Sequence, residues 1–294
     1  MDTAVYQYIE KCLKETLGNN LELQEVKSLS GGCINAASAL STNQGVLFVK
    51  WNKSAAADLF LREADGLNEL AKASTDLVIP KVILAKVPEN QFPGLLVTEY
   101  LEPAQNRTGQ DEALGRGLAQ LHRFNSKQFG FEHDTYCGAT LQDNSNKSSW
   151  ISFYKTNRIE HILRLIRTKR GLSNSESNAF EQLLGKLPSI IGHEPQPVLN
   201  HGDLWSGNYL YTAKGPALID PAVTYADREL DLALTTMFGG FSDRFWDAYQ
   251  ESFPLEVEWE HRNPIYMLYH YLNHYYLFGG GYAVQAMQIV KKYI

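Results

Sequence analysis

The sequence predicts an α+β protein of two unequal lobes: a small antiparallel β-sheet lobe carrying one main helix, and a larger, mostly helical lobe. Three observations carry this reading. The first hundred residues read as a run of strands interrupted by an amphipathic helix. A polar connector containing a proline, "EPAQNRTG" (102–109), follows. Beyond it, apolar residues recur mainly at helical spacing. The lobes are therefore drawn at 1–101 and 102–294.

Taken in order, "MDTAVYQYIEKCLKETLG" reads as an amphipathic helix with Val5, Tyr8, Ile9, Cys12 and Leu13 on one face. "LELQEVKSL" (21–29) alternates like a strand, and "SGGCIN" (30–35) breaks it. "AASALST" (36–42) and "VLFVKW" (46–51) are strands joined by the turn "NQG". A helix over 55–73 sets Leu59, Phe60, Glu63, Leu67 and Leu70 at spacings of three and four, with Asp58 in its first turn. "LVIPKVILA" (77–85) and "GLLVTEYL" (94–101) complete a β-β-β-α-β-β order. In the second lobe, 111–124, 149–170, 175–187, 228–238, 243–253 and 264–278 read as helices. "NYLYT" (208–212) and "PALID" (216–220) form a hairpin about "AKG". The crevice between two such lobes is where a ligand is expected.

Composition narrows the function. The chain has 294 residues, 44% hydrophobic and 20% charged, with a net charge of -6. This balance suits a globular protein and argues against a broad nucleic-acid footprint. No apolar run approaches the roughly 20 residues that span a bilayer, and no secretory signal is read at the N-terminus. Cys12, Cys33 and Cys137 are few and widely spaced, which suggests neither a disulfide framework nor a metal site, so a reducing cytoplasm is expected.

Several residues sit where chemistry would need them. Gly31 and Gly32 between two strands read either as a hairpin turn or as a phosphate cover, since glycine lets backbone N–H groups approach an anion. Neither a dinucleotide fingerprint nor a Walker-A loop fits this stretch. Lys50 ends an apolar strand and Glu63 lies on the next helix, so the two suggest an ion pair holding nucleotide phosphates. "LNHGDLWSGN" (199–208) places His201, Asp203, Trp205 and Asn208 at the end of a strand, and Asp220 ends the following hairpin at "LID". Phosphoryl transfer to a hydroxyl needs these residue types: one carboxylate to accept the proton, and an amide oxygen plus a second carboxylate to hold Mg²⁺. The ordered set Lys50, Glu63, Asp203, Asn208 and Asp220 points to kinase chemistry.

The same residues resemble a known family. The pattern is similar to the protein-kinase-like fold of small-molecule kinases, the group with aminoglycoside phosphotransferases and choline kinases, and more closely to the fructosamine kinase (ketosamine-3-kinase) family. "GGCINAA" (31–37), "READGLNELA" (62–71), "GFEHDTYCGATLQDN" (130–144), "HGDLWSGN" (201–208), "IDPAVTYADRELDLALTTMFGGF" (219–241) and "YHYLNHYYLFGGGY" (269–282) carry the resemblance. It implies ATP- and Mg²⁺-dependent phosphorylation of a ketosamine at the hydroxyl on carbon three. The unstable product then releases the amine, a deglycation repair. It makes Asp203 the catalytic base and Asn208 and Asp220 the Mg²⁺ ligands. Lys50 and Glu63 become the phosphate-holding pair, and the connector Glu99, Tyr100 and Leu101 meets adenine. Gly202 stands where a eukaryotic protein kinase has Arg, and "DPA" replaces D-F-G, so no activation-loop switch is expected.

On the substrate side, Trp205 either stacks on the ligand or packs under its own loop. Gln142 and Asn144 of "QDN", and His274 of "LNH", are expected as possible lining of the sugar pocket, with a satisfied core histidine as the alternative for His274. Asp231 resembles the buried carboxylate that braces the catalytic loop. Cys33, in the phosphate loop, reads either as a small buried hydrophobe or as a redox-sensitive thiol able to bridge two chains, so the protein is expected as a monomer or a redox-dependent dimer. The competing readings are a kinase of the same fold acting on an amino alcohol or aminoglycoside, and a nucleotide-binding regulator without catalysis.

Overall fold

A computed structural model describes residues 1–29 and 35–294. Helix α1 (Thr3–Leu17) starts at Asp2, whose Oδ1 accepts from the Val5 amide at 2.8 Å. Its buried face, Val5, Ile9 and Leu13, packs on Leu40, Val49, Leu95 and Val97 of the sheet. Burial of each such side chain contributes about 1.5–3 kcal/mol. The sheet comprises β1 (Leu23–Leu29), β2 (Ala36–Thr42), β3 (Gly45–Asn52), β4 (Val82–Lys86) and β5 (Gly94–Glu99). Their spatial order is β1-β2-β3-β5-β4, with every pairing antiparallel. Helix α2 (Leu59–Leu70) packs Phe60, Ala64 and Leu67 near Leu96. It is shorter than the expected 55–73, and Asp58 caps no amide. Asp58 is engaged instead by Tyr136 Oη at 2.7 Å and Arg62 Nε at 3.0 Å.

β4 starts later than expected because Pro80 has no amide to give a ladder. The residues before it turn away to the other lobe: the Val78 amide donates to the Pro216 carbonyl at 2.9 Å. That lobe contains α3 (Gln110–Leu121), the small hairpin β6 (Thr135–Cys137) and β7 (Thr140–Gln142), α4 (Trp150–Phe153), α5 (His161–Arg170) and α6 (Asn174–Ile191). A π-helical stretch, Tyr154–Glu160, joins α4 to α5. Then come β8 (Val198–Asn200), the hairpin β9 (Tyr209–Thr212) and β10 (Gly215–Leu218), β11 (Thr224–Ala226), α7 (Glu229–Met237), α8 (Asp243–Ser252), α9 (Trp259–Phe278) and α10 (Tyr282–Tyr293). β11 pairs antiparallel with β8. Two apolar clusters hold this lobe: Phe153, Tyr154, Ile162, Leu183, Tyr266 and Leu268 in one, Leu118, Leu121, Leu199, Leu204, Leu232 and Phe245 in the other.

The architecture is the expected bilobal α+β fold. Sequence reasoning did not anticipate β6, β7, β11 or α10, because three-residue strands are too short to show a period and α10 follows a run of glycines. Among the described residues, no helix is long and apolar enough to cross a membrane.

Candidate active site

The end of β8 delivers the loop 201–208, and that loop is held from behind. Asp231, in the first turn of α7, accepts from the His201 amide at 2.6 Å through Oδ2 and from the Gly202 amide at 2.7 Å through Oδ1. His122 Nε2 lies 3.3 Å from Oδ2, and His122 Nδ1 lies 2.8 Å from Tyr249 Oη. Burial pushes the Asp231 carboxyl up, but His122 and the loop amides outweigh it and hold it below the usual range. Asp231 is thus the brace that the resemblance implied. His122, its partner at the C-cap of α3, was not foreseen from sequence, because a single buried histidine at a helix end carries no signal of its contacts. Gly202 has φ +83°, and a Cβ there would run into the Ala222 carbonyl. A side chain at this position is excluded, which gives the glycine in place of an arginine a backbone cause.

Asp203 projects from this braced loop. Asn208 Nδ2 donates to the Asp203 carbonyl at 2.8 Å and to Asp203 Oδ2 at 3.1 Å. The Cys137 thiol donates to Asp203 Oδ1, with sulfur 3.7 Å away. Burial first, and then the charge of Asp220, push the Asp203 carboxyl up to about 7. A carboxylate so raised is a better proton acceptor than an exposed aspartate.

Asp220 lies just past β10. Its backbone has φ +54°, and the preceding Ile219 is pinned by its amide to the Asn208 carbonyl at 3.0 Å and by its carbonyl to His201 Nε2 at 2.9 Å. Lys50 Nζ, from the middle of the sheet, sits 2.9 Å from both carboxylate oxygens of Glu63 and 2.9 Å from Asp220 Oδ1. Burial would lower the lysine, but the two carboxylates hold it above its ordinary value. Burial also raises Glu63, against the pull of Lys50. The geometry brings together all five residues of the ordered set.

Glu63, Asp203 and Asp220 form an acidic cluster that Lys50 partly offsets, and Asp220 is among the causes that raise the other two. The Asn208 amide oxygen accepts no hydrogen bond among the described residues. The oxygens of Asn208 and Asp220, beside excess negative charge, fit a hard divalent cation such as Mg²⁺.

The connector follows β5. The Glu99 carboxylate accepts from the Lys81 backbone amide at 3.2 Å and lies 3.8 Å from Lys214 Nζ, and Leu101 is buried. Glu102 and Ala104 are tied to the β9–β10 hairpin by backbone hydrogen bonds of 3.0 and 2.8 Å, whereas Tyr100 and Leu101 make no such loop bond among the described residues.

The side chains expected in a sugar pocket divide. Asn144 is buried, with Nδ2 on the His133 carbonyl and Thr135 Oγ1 and its Oδ1 accepting from Arg158 Nη2 at 2.8 Å. Gln142 is buried and accepts from Tyr269 Oη at 3.0 Å. Both spend these polar groups on partners inside the protein. The Trp205 ring packs over Gly207 and meets Phe238 edge-on at 6.3 Å between centroids, the loop-packing alternative. His274 lies half-buried among Phe238, Phe278 and Tyr282, with Nδ1 2.8 Å from the His270 carbonyl. Gly31, Gly32 and Cys33 lie outside the described residues, so the phosphate-cover and redox-dimer expectations gain no geometry.

Fold and loop together define a phosphotransferase of the protein-kinase-like class. The particular family follows from comparison: a profile of the fructosamine kinase family matches residues 5–294, and the chain belongs to that family. It is 37% identical to a Synechocystis protein assigned as a ketoamine kinase, covering 98% of this chain and 97% of the relative. It is 36% identical to the chloroplastic protein-ribulosamine 3-kinase of Arabidopsis thaliana, covering 95% and 85%. The crystal structure of a Haemophilus somnus protein assigned as a fructosamine-3-kinase superposes with a TM-score of 0.86 at 27% identity, covering 99% and 98%. The aminoglycoside phosphotransferase APH(4)-Ia, in a complex with AMP-PNP and hygromycin B, shares the fold at a TM-score of 0.65 and 16% identity, covering 96% and 98%.

Proposed function

We propose that this protein is an ATP-dependent kinase of ketosamines, transferring the γ-phosphoryl group to the 3-hydroxyl of a fructosamine or ribulosamine adduct. The observation that carries the reading is the braced Asp203, a half-buried carboxylate raised to about 7 beside Asn208 and the Lys50–Asp220 pair. Family membership supports the acceptor class, because the Arabidopsis relative is named for phosphorylating ribulosamines at that position.

In this account the lobes 1–101 and 102–294 close on ATP, with the connector backbone at Tyr100 and Leu101 meeting adenine. Lys50, oriented by Glu63, holds phosphate oxygens. Asn208 and Asp220 hold Mg²⁺, which when bound neutralises developing phosphate charge. Asp203 accepts the proton of the acceptor hydroxyl as its oxygen takes the phosphoryl group, and ADP leaves. Catalysis here rests on positioning and charge rather than on a covalent intermediate. Release of the amine from the phosphorylated adduct makes the role one of deglycation repair.

The test is product analysis. Incubation with ATP, Mg²⁺ and fructoselysine is expected to give one phosphorylated adduct with the phosphate on carbon three by phosphorus NMR. Asp203→Asn is expected to abolish its formation while ATP still binds. Phosphate on another carbon, or near-wild-type turnover by the variant, would contradict the reading.

A further inference from the structure

Beneath Asp203 lies a buried group that the proposed reaction does not use. Cys137, from β6, is 2% exposed, and Asn273, from α9, is 1% exposed. Asn273 Nδ2 lies 3.3 Å from the Cys137 carbonyl and 3.2 Å from its sulfur. A carbonyl oxygen only accepts, so the amide orientation at Asn273 is settled: its nitrogen faces Cys137. That N–H meets a lone pair of the sulfur. The single thiol proton is then directed away, toward Asp203 Oδ1, 3.7 Å from the sulfur. Burial, and next the Asp203 charge, hold the thiol protonated, well above the ordinary cysteine range.

We propose that Cys137, oriented by Asn273, is a positioning residue for the base: its S–H occupies Oδ1 of Asp203 while Asn208 occupies Oδ2, so the carboxylate is fixed in rotation toward the acceptor hydroxyl. The proposal rests on the kinase reading above. The sulfur reaches Oδ1 from 3.7 Å, a span that the shorter C–O bond of a serine hydroxyl would not close. The restraint acts on Asp203 alone. Lys50 and Asp220, which meet the nucleotide in this account, have no hydrogen bond to Cys137 or Asn273 among the described residues.

The experiment is a double-mutant cycle on the full chain. Cys137→Ala, Asn273→Ala and the double variant are assayed for kcat, for KM of ATP, and for slow ATP hydrolysis with water as the acceptor. Loss of the restraint is expected to lower kcat about 10- to 100-fold, the scale of a small misplacement of a reacting group, with KM for ATP unchanged. Because Asn273 acts through Cys137, the double variant is expected to be no slower than Cys137→Ala. Should the alanine chain fail to fold, Cys137→Ser, closer in volume, takes its place with kcat below wild type and KM for ATP unchanged. Wild-type kcat in the Cys137 variant, additive losses in the cycle, or ATP binding weakened in step with kcat would each overturn the proposal. Water-dependent hydrolysis keeps the two readings apart. If wild type turns over no ketosamine, the substrate reading fails, while the cycle on hydrolysis still decides whether Cys137 positions the base.

Discussion

Lys50 Nζ lies 2.9 Å from Asp220 Oδ1, and this ion pair joins the middle of the sheet to the end of the β9–β10 hairpin. Lys50 is at the same time 2.9 Å from both oxygens of Glu63. One ammonium therefore sets the spacing between a helix of the small lobe and a loop of the large one. Its partners are buried to different degrees: the Glu63 side chain is 11% exposed, that of Asp220 41%. Glu63 reads as the fixed anchor and Asp220 as the group open to ligand.

Removing Lys50 tests this division. Lys50→Met keeps much of the buried stem and deletes the charge. Turnover is expected to fall about 10²-fold or more, the scale of losing one preorganised electrostatic contact in a water-poor site. Glu63→Gln is expected to fall less, because the glutamine amide oxygen can still accept from the lysine. Steady-state kinetics decide it, and a larger loss at Glu63 than at Lys50 would contradict the ordering.

Gly202 is expected to tolerate no side chain. Its φ of +83° alone costs a non-glycine residue about 1–3 kcal/mol, and the Ala222 carbonyl blocks the Cβ. Gly202→Ala should therefore lower Tm and move the His201 and Gly202 amides off Asp231. A variant that melts with wild type and turns over normally would show that the loop is not held as described.

His193 gives a pH signature of stability away from the site. Its Nε2 is 3.0 Å from Asp227 Oδ2 and its Nδ1 2.9 Å from the Ile191 carbonyl. Both ring nitrogens face acceptors, which favours the doubly protonated ring. Burial would lower this histidine, but the Asp227 bond and charge outweigh it, and its value rises above the ordinary 6.5. A folded value above the unfolded one means that the stabilisation is complete below the unfolded value and is lost as pH rises through the folded one. His193→Gln should thus cost more stability at pH 5.5 than at pH 8.5, read from Tm in both buffers. A penalty that grows with pH would reverse the sign and sink the assignment.

Much of this was legible in the residue order because it is local. The strand expected over 36–42, ahead of the turn "NQG", is β2, Ala36–Thr42. Lys50 ends an apolar run, Asp203 and Asn208 share one loop, and Asp220 closes a hairpin, so each role could be placed on an element boundary. What stayed hidden depends on contacts far apart in sequence. His122 and Asp231 stand 109 positions apart, and Cys137 and Asn273 stand 136 apart. No spacing in the sequence links the two members of either pair. Asn144 belongs with them: no pattern in the sequence shows the bond that its Oδ1 accepts from the buried Arg158 Nη2 at 2.8 Å.

The most direct test of the central claim is ADP release by the wild-type protein across a panel of fructoselysine, ribuloselysine, free sugars, choline and an aminoglycoside, each with ATP and Mg²⁺. Turnover with the two ketosamines, and its loss in Asp203→Asn, is the predicted result. Activity confined to choline or the aminoglycoside would contradict it.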